Sequence, residues 1–271
     1  MLNAVIIPIY QATVSDGEQQ SLAQCCKIFV TKPILFVAPE NLDVSIYQQI
    51  AGAKKIEFVF FPEKYFRSIE SYSLLLMSPL FYQRFAQFKY ILIYQLDAYA
   101  FRDELDAWCD RGYYYIGAPW LKKQNDDSIT EAGVGNGGFS LRRVQAFLDL
   151  GRGRAPAFFS TKELMSLHYA NISKSGSALE KMLVSFKLAF KALGLRNNLA
   201  YYAKHYTEDD FWCGIAPQAS IPIRIAPFSE ALKFAFESHP EYLYSKNGDQ
   251  LPFGCHAWLR YNPKFWETFI K

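Results

Sequence analysis

Four short apolar runs within the first hundred residues, each followed by a stretch with helical signals, restrict this chain to a narrow set of folds. The runs are "AVIIPIY" (4–10), "PILFVAPE" (33–40), "KIEFVFFPE" (55–63) and "YILIYQLDAY" (90–99). Each is short, rich in β-branched and aromatic residues and apolar at successive positions, as in a strand buried on both faces. Pro8 donates no ladder hydrogen bond, so the first strand ends or loosens there. Between the runs, "SDGEQQSLAQCCKIF" carries a Ser15 or Asp16 cap with Glu18 in its first turn. "NLDVSIYQQIAG" ends on a glycine stop, and "SIESYSLLLMSPLFYQRFAQF" is helical with a kink or restart at Pro79. Strands alternating with helices imply crossovers and a parallel sheet, with ligands beyond the carboxyl ends of its strands.

The second half is less regular. "YYYIGAPWL" (113–121) reads as a strand, "KKQNDDSITEAGVGNGG" as a polar, glycine-rich loop, and "FSLRRVQAFLDLG" as a strand end and a helix. "SALEKMLVSFKLAFKALG" places Leu179, Met182, Leu183, Phe186, Phe190 and Leu193 at helical spacing. Residues 152–205 carry nine Lys or Arg against Glu163 and Glu180, a local charge of +7 in a chain of net charge +3, so the remainder is −4. A net charge that small does not point to nucleic acid. The five cysteines are odd in number and lack a C-x-x-C pair, which argues against a disulfide framework or a structural zinc site and for reduced thiols in the cytoplasm. "MLNAVIIPIY" has no basic n-region, and no apolar run approaches the roughly 20 residues that span a bilayer.

Four groups of residues carry candidate chemistry. Asp97 follows the fourth strand in Gln95-Leu96-Asp97, where a carboxylate serves a divalent cation or a ribose hydroxyl, or caps the following turn. "GVGNGGFSLRR" surrounds Asn136 with glycines that let backbone approach a ligand; it is neither a phosphate loop of the Walker type nor a dinucleotide fingerprint. "YTEDDFWCG" sets Glu208, Asp209 and Asp210 side by side, costly unless solvated or matched by a cation or donors; the first turn of a helix is the plain alternative. "LPFGCHAWLRY" places His256 near Trp258, as a metal ligand, a phosphate contact or a buried histidine.

In their order and spacing, "AVIIPIY", "YQLDAYAF", "GNGGFSLR", "EDDFWCG" and "PFGCHAW" resemble nucleotide-sugar glycosyltransferases of the GT-A fold. The resemblance is nearest to a glycosyltransferase-like family first catalogued as of unknown function. It implies an α/β fold with a Rossmann-like, mostly parallel central sheet flanked by helices, and a helical basic insertion at about 152–205. It further implies one domain over 1–271, with a nucleotide-binding half at about 1–110 and an acceptor half at about 111–271. The family's Asp-x-Asp motif, which holds the metal on the donor diphosphate, falls on Gln95 and Asp97, so Gln95 replaces the first Asp. Carried over by resemblance, Pro8, Tyr10, Gln95 and Asp97 contact the donor nucleotide. Asn136, Gly137, Gly138, Glu208 and Trp258 line the sugar and acceptor site, and Asp97 and His256 hold Mn²⁺ or Mg²⁺. Asp209, with Asp210 as second choice, is the base of an inverting transfer.

The expected partners are a nucleotide-sugar donor and a glycan or other hydroxyl acceptor, in polysaccharide biosynthesis, with no nucleic acid. The basic segment adds a peripheral contact with an anionic inner membrane face as an expectation, against a packed helix with a solvated lysine face. Two other readings stay open: a carbohydrate-binding or inactive GT-A-like protein, favoured by Gln95, and a sugar-phosphate nucleotidyltransferase, disfavoured because "PIYQATVSDGE" lacks a basic glycine-rich loop.

Overall fold

The computed structural model describes residues 2–126, 128–154, 157–169, 186, 188, 190–219 and 221–271. They fall into two compact units: 1–66, 85–144 and 224–271 form the first, and 67–84 with 145–223 the second.

The first unit is built on a six-stranded sheet. Its strands are β1 (Leu2–Pro8), β2 (Ile34–Pro39), β3 (Ile56–Phe61), β4 (Phe88–Tyr94), β6 (Tyr115–Ile116) and β9 (Phe139–Arg143), in the order β3-β2-β1-β4-β9-β6. β1 pairs in parallel with both β2 and β4, and β2 with β3; β9 runs antiparallel to β4 and to β6. The sheet is therefore mostly parallel, as the alternation of runs and helices predicts. β2 is buried at every position and β4 at all but one, which is why neither strand shows an alternating pattern. β3 is different: it lies at the sheet edge and only Val59 and Phe61 are buried. Val5, Ile7, Phe36, Leu92, Tyr94 and Phe139 belong to one core cluster. Truncating such a buried aliphatic to Ala costs roughly 2–5 kcal/mol.

The first crossover helix, Asp16–Ile28, starts as its sequence indicates. Ser15 and Glu18 form a reciprocal capping box, with the Glu18 N–H donating to Ser15 Oγ and the Ser15 N–H to Glu18 Oε2. The second crossover helix, Ser45–Ala51, ends at Gly52, whose φ of +57° suits glycine.

A smaller sheet continues the first unit: β5 (Tyr99–Ala100), β10 (Ala235–Phe236) and β11 (Gly254–Cys255), in the order β10-β11-β5. Its cluster includes Tyr99, Phe236, Leu243, Trp258 and Trp266. The segment expected as a loop, 122–138, instead holds a hairpin: β7 (Pro119–Lys123) pairs antiparallel with β8 (Ile129–Val134). β8 is exposed along most of its length, so it needs no apolar pattern and gives none. Gly135 lies against the Trp120 ring, where an added Cβ would fall 1.8 Å from ring carbon.

The second unit is helical. Helix Ile69–Met77 ends at Ser78, which caps a new helix over Pro79–Gln83; this is a restart at the proline. Tyr82 stacks on Phe147 at 4.5 Å, and Phe147 meets Trp212 edge-on at 5.1 Å. Asn197, fully buried, organises the chain: its Nδ2 donates to the carbonyls of Phe159 and Lys191, and its Oδ1 accepts from the Phe159 N–H and the Tyr202 hydroxyl. Most of the expected 152–205 insertion falls in this unit, with helices Thr161–Tyr169 and Leu199–His205. Leu179, Met182 and Leu183 lie outside the described residues. Phe186, Phe190 and Leu193 are exposed by 63%, 54% and 72%, so their helical spacing does not mark a packed face. Among the described residues no helix is long and apolar enough to cross a membrane.

Candidate functional site

Three short strands bring distant residues together. β5 runs antiparallel to β11 with Tyr99 opposite Cys255, and β11 runs parallel to β10 with Cys255 opposite Phe236. Asp97 precedes β5, His256 follows β11 and Glu237 follows β10, so the pairing alone places the three side by side. Backbone bonds fix the junctions: the His256 N–H donates to the Phe236 carbonyl at 2.9 Å, and the Trp258 N–H to the Asp97 carbonyl at 3.4 Å. Beyond β4, the chain makes a tight turn in which the Ala98 N–H donates to the Gln95 carbonyl. The Gln95 N–H donates to the Gly138 carbonyl at 2.8 Å, tying this turn to the glycine-rich segment.

His256 is the centre of the arrangement. Its Nε2 faces Asp97 Oδ1 and Gln95 Oε1, each at 3.1 Å. Its Nδ1 faces Glu237 Oε1 at 2.9 Å and Asn136 Nδ2 at 3.1 Å. Burial pushes the imidazole pKa down, but the hydrogen bonds and charges of Asp97 and Glu237 outweigh it and raise it to about 9. Partial burial pushes the Asp97 carboxyl up. The His256 hydrogen bond and charge, a backbone N–H and the Arg260 charge overcome that and hold it below the usual carboxylate range. The Asp97 side chain remains 46% exposed and that of His256 13%.

Asn136 and Gly138 shape the wall beside the imidazole. Asn136 has a left-handed backbone (φ +76°) and is buried. Its Oδ1 accepts from the backbone N–H groups of Gly138 (2.8 Å) and Phe139 (3.1 Å), which aims its Nδ2 at His256. A Cβ on Gly138 would lie 1.9 Å from His256 Nε2, so only glycine lets the ring sit there. The Gly137 carbonyl accepts from the Ser140 hydroxyl and from Arg142, a fully buried guanidinium on β9. Pro8 is buried at the end of β1, and Tyr10 beyond it is exposed. The Tyr10 phenol is raised from its ordinary value by partial burial and by the charges of Glu18 and Asp97, which places it within the electrostatic reach of the site. Trp258 is 7% exposed and packs edge-on against Tyr99 in the smaller apolar cluster.

Glu208, Asp209 and Asp210 belong to the second unit. They open a helical segment that continues as a π-helix over Asp210–Ile215. Glu208 is buried, Asp209 half-buried and Asp210 exposed, and Asp210 Oδ2 accepts the Thr207 hydroxyl at 2.9 Å. The acids thus lie at a helix start, with Phe211 and Trp212 buried behind them.

The donor set at His256 fits a divalent cation. Adjacent donors of an ion with bonds of roughly 2.1 Å at right angles lie about 3 Å apart, and His256 Nε2 stands 3.1 Å from both an Asp and a Gln oxygen. The two oxygen donors suit Mn²⁺ or Mg²⁺, while the imidazole suits a transition-metal ion and so favours Mn²⁺ of the two. Among the described residues no three His, Cys, Asp or Glu side chains are grouped to hold a metal; the set reaches three donors only through Gln95. Glu237 is the residue that sequence reasoning missed. Its signal was available: in "KFAFES" a short apolar run meets an acid, as in "YILIYQLD", but two buried strand residues look too short to count.

The family described as "Protein of unknown function (DUF5672)" matches residues 55–256. Among solved structures, the chain is similar to mouse xyloside xylosyltransferase 1 in its apo form, at 13% identity and a TM-score of 0.49, over 94% of this chain and 97% of that one. It is similar to the glycosyltransferase GlyE of Streptococcus pneumoniae TIGR4, at 11% and 0.45, over 100% of this chain and 57% of that one. It is also similar to a glycosyltransferase involved in glycosylation of the major capsid of PBCV-1, at 11% and 0.43, over 94% and 92%. No curated protein sequence matches the chain.

Proposed function

The chain belongs to the DUF5672 family, and we propose that it is a glycosyltransferase moving a sugar from a nucleoside-diphosphate sugar to a hydroxyl acceptor. The observation that carries the reading is the convergence of Asp97, Gln95 and His256 Nε2 beyond the carboxyl end of β4, beside the glycine wall at Asn136–Gly138. Ligands of open α/β sheets sit beyond such strand ends.

Asp97 Oδ1, Gln95 Oε1 and His256 Nε2 would hold a divalent cation there. Such an ion, when bound, supplies positive charge to the leaving diphosphate. The chain's own groups do the rest. Tyr10, beyond β1, stands at the nucleotide side. Asn136, Gly137 and Gly138 present a close backbone surface to the sugar. In the transfer, the acceptor oxygen forms a bond to the anomeric carbon while the bond to the diphosphate oxygen breaks, its electron pair leaving with the diphosphate. The acceptor proton passes to a carboxylate, Asp209 in this reading, and the configuration inverts. Asp210 already accepts the Thr207 hydroxyl and stands as the second choice. A positioned base of this kind is worth roughly two to four powers of ten in rate.

The test is a screen of nucleotide sugars for slow donor hydrolysis, with Mn²⁺ and with chelator. Hydrolysis of one donor, lost on chelation, is expected. No donor turned over, together with thermal stabilisation by free sugar and none by nucleoside diphosphates, would replace the enzyme with a carbohydrate-binding protein.

A further inference from the structure

A histidine offers a metal only the ring nitrogen that lacks a proton, so a cation site built on His256 Nε2 needs the other nitrogen to carry the proton. The neighbours of His256 pull in opposite directions. Asp97 Oδ1 and Gln95 Oε1 face Nε2, and without a cation both oxygens favour a proton on it. Asn136 Nδ2 faces Nδ1 at 3.1 Å. Its amide cannot turn round, because its oxygen is engaged by the Gly138 and Phe139 N–H groups. Asn136 therefore offers Nδ1 a donor, which also favours the neutral ring protonated at Nε2. Three of the four neighbours thus oppose the form a cation needs.

Glu237 is the exception. Its carboxylate only accepts, and it lies 2.9 Å from Nδ1. A charge-assisted bond from Nδ1–H to a carboxylate outweighs a neutral amide contact. Its place is fixed by the fold: Phe236 and Cys255 are partners on β10 and β11, so the residues that follow them, Glu237 and His256, sit side by side. Resting on the reading of Asp97, Gln95 and His256 as donors to a divalent cation, we propose that Glu237 is the positioning residue of this site, holding the proton on His256 Nδ1 so that the Nε2 lone pair faces Asp97 and Gln95.

The role has two readouts that do not depend on turnover. The first is the affinity of the full chain for Mn²⁺ alone, measured by titration calorimetry in wild type, Glu237→Ala and Glu237→Gln. Loss of such a partner typically weakens metal binding by about 10–100-fold. That loss is expected for Glu237→Ala, with a smaller one for Glu237→Gln, whose amide oxygen still accepts. The second is the tautomer of the neutral His256 ring, read from ¹⁵N spectra of histidine-labelled, metal-free protein at alkaline pH. Because Asp97 competes for the proton when no cation is bound, wild type is expected to show a clearly larger share of the Nδ1–H form than Glu237→Ala, in which the Nε2–H form prevails. A ring form unchanged by Glu237→Ala overturns the proposal whatever the affinity, as does Mn²⁺ affinity within twofold of wild type. A wild type that binds no Mn²⁺, yet whose ring switches in Glu237→Ala, retires the cation reading and leaves the hold of Glu237 on the ring standing. Circular dichroism checks folding, and Glu237→Gln carries both measurements should the alanine variant fail to fold.

Discussion

The carboxylates of the first unit and those of the second are held by different means. Asp97 precedes the short strand β5, Glu237 follows the short strand β10, and both are fixed against one histidine by backbone pairing between β5, β11 and β10. Glu208, Asp209 and Asp210 sit at the start of a helical segment, grading from buried to exposed along three residues, with a cap-like bond from Thr207. Strand pairing sets register, so residues far apart in sequence meet at fixed positions. A helix start presents consecutive side chains in different directions, so adjacent acids in sequence acquire different surroundings. Identical residue types thus become a designed cluster in one place and a graded edge in the other.

The comparison breaks first at Asp209. As the proposed base, its replacement by Asn is expected to lower kcat for transfer by roughly two to four powers of ten, with a melting temperature near wild type. A transfer rate within a factor of three in a folded Asp209→Asn variant would rule out Asp209 as the base, and the same result for Asp210→Asn would leave the second unit without a catalytic carboxylate. Stereochemistry sharpens the same point, because a retained anomeric configuration removes the need for that base.

The next effect belongs to the first unit. His256 has a folded pKa raised from an ordinary value of about 6.5 to about 9 by Asp97 and Glu237. A raised value means that the folded state binds the proton more tightly. Its stabilising contribution is full below pH 6.5 and is lost as pH rises through about 9. The shift corresponds to something on the order of 3 kcal/mol. The lowered Asp97 carboxyl acts at the other end, contributing above its ordinary range and losing that contribution on acidification. Chelator-treated protein is therefore expected to lose denaturant stability between pH 6.5 and 9, and His256→Gln to flatten that limb. A wild-type limb as flat as that of the variant would show that the carboxylates do not hold the ring.

A third test uses shape. Gly138→Ala would put a methyl 1.9 Å from His256 Nε2, displacing the ring or the turn at a cost typical of overpacking, roughly 1–3 kcal/mol. Because Gly214 meets nothing within 4 Å, Gly214→Ala is a matched control in the second unit, without that clash. Equal melting temperatures for the two variants would deny the close approach on which the site is built.

How much of this was legible in the sequence depends on whether a residue's signal is local. β1, β2 and β4 were readable because strands buried on both faces are apolar at successive positions. The capping box at Ser15 and Glu18 and the restart at Pro79 were readable because caps and prolines act within four residues. The β7–β8 hairpin was not, since β8 is mostly exposed and so carries no pattern. The π-helical turn at Asp210–Ile215 left no mark in residue type either. Gln95, Asp97, Asn136, Gly138 and His256 were found by motif, and the structure brings them together. Glu237 was missed because its partner is 19 residues away and its strand is two residues long.

The smallest effect concerns the exposed face of the second unit. Phe186, Phe190 and Leu193 are exposed within a segment of +7 local charge. A peripheral contact with anionic lipid, the expectation for this basic segment, would use such exposed apolar side chains. Since these side chains are exposed, Phe186→Ser and Phe190→Ser are expected to change folding stability by no more than about 0.5 kcal/mol. In co-sedimentation with vesicles containing phosphatidylserine, wild type is expected to bind at low salt and to release as salt rises, because each basic residue near the surface contributes only about 1 kcal/mol. The double serine variant should bind less at every salt concentration. Destabilisation by several kcal/mol would instead reveal these rings as buried in the folded protein, and undiminished vesicle binding by the variant would remove them from any lipid contact.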